Sequence, residues 1–107
     1  MSRSESLAAY FRAQARRRLD RVESNDAGRN ARSALALLDA AAYAAALPDD
    51  DPLIERLAEA GCFGAPGGED GFVFDPGPEG TRMVRLWEGG EPRELILALP
   101  TVAATTA

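Results

Sequence analysis

The side chains able to do chemistry in this chain are few: one thiol, Cys62, two phenols, Tyr10 and Tyr43, and seventeen carboxylates, with neither histidine nor lysine. Imidazole general bases, imidazole metal ligands and Schiff-base amines are therefore absent. A nucleophilic cysteine needs a cation, a histidine or a helix N-terminus to stabilise its thiolate. Cys62 instead follows Gly61, where a helix C-terminus is expected, so it reads as a small core residue. A single cysteine also excludes an intramolecular disulfide and a cysteine-based metal cluster. Asp39 lies in an apolar run but shares a helix side with Arg32 and Tyr43, which makes it a solvated or edge carboxylate. The acid run Asp49-Asp50-Asp51 places negative charge at the start of a helix and lacks the glycine and glutamate spacing of a calcium loop. Residues 64–71 are glycine-rich without the order of a phosphate-binding loop, and no lysine exists to reach a phosphate. The sequence thus predicts a non-enzyme with no catalytic, cofactor-binding or metal-ligating residues.

The elements that position these groups follow from periodicity. Ser2 and Glu5 fit a capping box, and Leu7, Phe11, Ala15, Leu19 and Val22 recur at helical spacing, predicting a helix over 4–23. The turn formers at 24–28 break the pattern before a second helix over 27–47, and the two form an αα-hairpin. The second helix is expected to bury Leu35, Leu38, Ala42 and Ala45 and to turn Arg32, Ala36, Asp39 and Tyr43 outward. Pro48 stops it. Asp51 and Pro52 make an N-cap and first-turn pair for a short helix over 52–60, with Gly61 as a left-handed C-cap.

Beyond the glycine-rich segment the pattern reads as strands. Phe72-Val73-Phe74, then 81–88, then 93–99 form a three-stranded antiparallel meander, with Gly89-Gly90 as a two-residue hairpin turn. That register places Arg85 opposite Glu94, Val84 opposite Leu95 and Met83 opposite Ile96. The fold class is then α+β: three N-terminal helices packed on a C-terminal meander, a single domain over 1–100, and a flexible tail over 101–107. Both sheet faces are partly apolar and the helices can cover only one. Met83, Arg85, Trp87 and Ile96 become the expected protein-binding patch, with a core position for Trp87 as the open alternative.

Composition bounds the function class. At 107 residues and 46% apolar content the chain is one globular domain, although twenty-one alanines give it a core of small side chains. Arginine without lysine follows from GC-rich codons and does not by itself signal phosphate binding. The net charge of −5 is unevenly spread: residues 1–32 carry eight arginines against four acids, and residues 33–107 four against thirteen. Arg17 and Arg21, on one flank of the first helix, are a second expected protein-binding element, suited to an acidic partner or a second copy of the chain. No stretch has the roughly twenty apolar residues of a membrane span, and no secretory signal is evident, so a cytoplasmic location is expected. The expected function is a regulatory or scaffolding interaction module that binds a protein partner or forms a homodimer, without cofactor, metal or membrane. The alternative is a winged-helix-like nucleic-acid-binding regulator using the arginine-rich first helix, which the net acidity opposes.

Overall fold

A computed structural model describes residues 2–64 and 72–106, with side chains to residue 103. It contains five helices: α1 (Arg3–Leu19), α2 (Arg29–Ala45), α3 (Pro52–Glu59), α4 (Gly77–Arg85) and α5 (Pro92–Thr106).

The hydroxyl of Ser2 caps α1 by accepting from Glu5 N at 3.1 Å. The remaining free donors of the first turn find a distant partner. Asp49 accepts from Arg3 N and Ser4 N, both at 3.1 Å, and Ser6 N donates to Ser2 O at 2.9 Å. The N–H groups of Arg3, Ser4 and Glu5, which a helix start leaves without intrahelical partners, are therefore satisfied, and Ser6 begins the regular ladder. The first acid of the run before α3 thus serves α1, and Asp51 alone caps α3, accepting from Leu53 N at 2.9 Å. At the other end of α3, Gly61 has φ +80°, Gly61 N donates to Ala58 O and Cys62 N to Leu57 O, both at 3.0 Å. This double bond pattern needs a left-handed residue, which glycine supplies at no steric cost.

The helices α1 and α2 form the expected hairpin, but α2 is turned by about 120° from the expected orientation, with Arg32 and Asp39 still exposed. Ser33, Ala34, Leu37, Ala40, Ala41 and Ala44 are buried, whereas Leu35 is 63% and Leu38 40% exposed, with Ala42 and Ala45 also in solvent. The expectation weighted leucine over alanine. Close packing against a neighbour that itself contributes Ala8 and Ala15 favours small side chains, and the larger leucines are left outside. The stripe on α1 is buried at Leu7, Phe11 and Ala15 and exposed at Leu19 and Val22.

The α+β expectation is wrong: among the described residues there is no sheet. Of the expected first strand only an isolated antiparallel bridge between Phe63 and Phe74 exists. The second strand is α4, in which Gly80 and Val84 are buried and Met83 and Trp87 half-buried, a period near 3.5 rather than 2. The third strand and residues 101–106 of the expected tail are α5, which buries Leu95, Ile96 and Leu99 and packs Ala103 on the core. Gly89-Gly90 joins two helices instead of turning a hairpin, and the expected Arg85–Glu94 pair does not form. The ion pair among the described residues is Arg29–Glu88 at 3.4 Å, on the surface, where such a pair contributes little. Pro100 lies inside α5, removing the donor that would reach the Ile96 carbonyl, yet the helix continues to Thr106.

Residues from all five helices share one core, which also takes in Cys62, Phe63 and Phe74. The 72–75 segment is tied to α1: the Ser6 hydroxyl donates to Phe72 O, Arg3 lies 5.0 Å from the Phe72 ring centroid, and Tyr10 meets the Phe74 ring edge-on at 5.0 Å.

Candidate functional site

Two surfaces stand out from the framework. One is the outward face of α2. Taking about 100° per residue, Ala31, Leu35, Leu38, Ala42 and Ala45 share one side of the helix, centred about 120° round from the buried residues and bordered on one flank by the buried Ala34 and Ala41. A helix apolar on both sides and covered on one leaves leucines in water: among the described residues Leu35 stays 63% and Leu38 40% exposed. The other large exposed apolar side chains are Leu19, Val22, Val73 and Leu86.

The second surface lies where α1 ends beside the end of α4. Gln14, Arg17, Arg18, Arg21 and Arg85 surround a cleft of about 20 Å³, and no acid lines it. Gln14 is 7% exposed and its Oε1 has no hydrogen-bond partner among the described residues. Arg18 is committed to structure: its Nε donates to Ser33 Oγ at 3.0 Å and its Nη1 to Asn30 Oδ1 at 2.8 Å. Ser33, completely buried, donates its own hydroxyl hydrogen bond to the Trp87 carbonyl oxygen. One hydroxyl thus joins α1, α2 and the end of α4. Arg17 and Arg18 sit in the last turn of α1 and Arg85 in that of α4, where positive charge offsets the negative end of a helix dipole.

The expected binding patch is only partly assembled. Arg17, Arg21 and Arg85 come together around this cleft, although they were expected on separate elements with separate roles. Ile96 is 0% exposed and belongs to the core, and Trp87 is half-buried against it. Met83 faces elsewhere, lining an open depression with Glu79, Arg82, Leu86 and Val102. The outward face of α2 was missed as a surface because its leucines were assigned to the interior. The signal was present in two interleaved apolar patterns on one helix.

Burial raises the Tyr10 hydroxyl's pKa, against its hydrogen bond to Thr81 and the nearby charges of Arg85 and Arg17, so it stays a phenol that donates to Thr81 Oγ1 at 2.9 Å. Burial, with the Asp75 carboxylate, also pushes the Cys62 thiol up, so neither environment activates a nucleophile. No three Cys, Asp or Glu side chains converge on a point among the described residues, and no helix there is long and apolar enough to cross a membrane. Compared with protein-family models, with curated proteins and with solved structures, the chain gives no match.

Proposed function

We propose that this chain is a small non-catalytic interaction module, regulatory or scaffolding, that works in the cytoplasm by binding protein. The observation that carries this reading is the outward apolar face of α2. Leu35 and Leu38 lie in water on the side away from the core, in a domain whose covered face of the same helix is mostly alanine. Exposed apolar surface of this kind gains free energy when a partner removes it from water, at about 25 cal/mol per Å². The residue inventory supports the same reading, since the chain has no histidine and its one thiol and the half-buried Tyr10 phenol are held in their neutral forms. Nucleic acid is disfavoured by the net charge of −5, and one of the clustered arginines, Arg18, is already engaged in structural hydrogen bonds.

The test is chemical crosslinking in native cytosol with identification of the crosslinked peptides, using the wild-type chain and its Leu35→Glu/Leu38→Glu variant as baits. Crosslinks from α2 to defined protein sequences, lost in the variant, are expected. A wild-type chain that crosslinks to nothing beyond what the variant does would end the proposal.

A further inference from the structure

The outward stripe on α2 has more order than exposure alone requires. Ala31, Leu35, Leu38, Ala42 and Ala45 are spaced four, three, four and three residues apart, which is the a/d pattern of a coiled-coil seam continued for more than one heptad. The alanines let a second backbone approach closely, and the two leucines supply the knobs. The flanks are unequal. One carries Arg32 and Asp39, a heptad apart and both exposed; the other carries Ala34 and Ala41, which are buried in the chain's own fold. Arg32 uses one guanidinium nitrogen on Ala27 O at 2.8 Å and keeps further donors for another acceptor.

We propose that this stripe is a self-recognition surface, on which α2 of a second copy packs antiparallel about a twofold axis. This rests on the interaction reading above and names its partner. Charge decides between the orientations. In a parallel pair, residues at the positions of Arg32 and Asp39 face the opposite flank, which here is Ala34 and Ala41, so neither charge finds a counter-charge. In an antiparallel pair the same flank faces itself. With Leu35 opposite Leu38 of the partner subunit, Ala31 falls opposite Ala42 of the partner subunit, and Arg32 opposite Asp39 of the partner subunit. The twofold axis repeats each contact, so a single register aligns both leucine layers, both alanine layers and two ion pairs, as an isologous interface requires.

One helical seam of about this length buries less than the standard interface, so the dimer is a weak one with micromolar dissociation. Sedimentation equilibrium of the full chain from about 1 to 500 µM should show reversible dimerisation. Leu35→Glu should raise the dissociation constant about a hundredfold or more, because each copy would bury a charge in an apolar layer. At a concentration below the dimer dissociation constant its circular dichroism melt should match that of the wild type, since Leu35 is outside the core. Arg32→Asp or Asp39→Arg alone should weaken the dimer about fivefold to thirtyfold, by turning two attractions into two repulsions. The double exchange, or an equimolar mixture of the two single variants, should restore it. A monomer throughout this range overturns the proposal, as does a dimer indifferent to Leu35→Glu, or one that both charge reversals leave unchanged. A strict monomer that still crosslinks in cytosol through Leu35 would end the homodimer alone and leave the interaction reading standing.

Discussion

Substituting Gly80 by alanine should destabilise the protein, although the position is helical and alanine is the better helix former. On propensity alone the exchange gains about 1 kcal/mol. The surroundings reverse the sign. A Cβ at position 80 would stand 2.5 Å from Pro76 Cβ and 3.1 Å from Pro76 Cγ, with Leu99 Cδ2 behind at 3.6 Å. Carbon atoms pack at about 3.5–4.0 Å, so α4 or the proline must move by about 1 Å. Neither moves freely: Pro76 is a fixed ring, fully buried, and Leu99 belongs to the core. Overpacking of this kind costs about 1–3 kcal/mol, which leaves a net loss of about 1 kcal/mol after the propensity gain. For a domain of this size that is a fall in Tm of about 4–8 °C, measurable by differential scanning calorimetry or by circular dichroism at 222 nm. Gly80→Ser should lose more than alanine. A Tm equal to or above that of the wild type for Gly80→Ala would show that α4 does not sit against Pro76 and α5 as described.

Three further outcomes follow from the polar contacts and the thiol. Ser33→Ala should cost about 2 kcal/mol in urea unfolding, because it strips the Trp87 carbonyl and Arg18 Nε of a buried partner at once; a loss below about 0.5 kcal/mol would refute the three-element junction. Asp49 has its carboxyl held below the usual range: burial opposes this, but the hydrogen bonds from Ser4 and Arg3 outweigh it. A depressed carboxylate stabilises above its unfolded pKa, near 3.8, and that contribution is lost as pH falls through the lower folded value. Asp49→Asn should therefore be less stable than wild type at neutral pH, with the gap closing as pH falls through the lowered folded value, as read from urea midpoints; a gap independent of pH would contradict the assignment. Cys62 should react with an aromatic disulfide reagent only as fast as the protein opens, and fully in denaturant; prompt stoichiometric reaction of the native protein at pH 8 would place the thiol on the surface.

Where the chain carries its own local punctuation, the sequence is readable. The Ser2 cap, the Asp51-Pro52 start and the Gly61 stop are decided within a few residues, and α1 and α3 fall within a few residues of their expected bounds. The C-terminal half is not so marked. Residues 81–88 satisfy a period of two and a period near 3.5 equally well over so short a length, and Gly89-Gly90 suits a hairpin as readily as a helix–helix link. Glu91-Pro92 repeats the acid–proline start of α3 and could have identified α5, but Pro100 argues against a helix crossing it. What tipped the balance lies outside the local pattern: Val84, Leu95, Ile96 and Leu99 complete a core begun by α1 and α2. The same holds for the candidate site. The arginines were visible, but their convergence depends on α4 being a helix, and the outward stripe depends on knowing which side of α2 the alanines of α1 select.

The hairpin is fastened near both of its ends. Ser4 lies 2.7 Å from the Leu47 carbonyl and 2.9 Å from Asp49 Oδ1 at one end, while Arg18 reaches Asn30 and Ser33 at the other. Two alanine-lined helices could otherwise slide past one another by a turn with little change in their apolar contact. With bolts at each end, a slip of one turn, about 5.4 Å, would break both sets together. The bar formed by α1 and α2 is thereby stiff along its length, and whatever docks on its outer edge meets a ruler with fixed graduations.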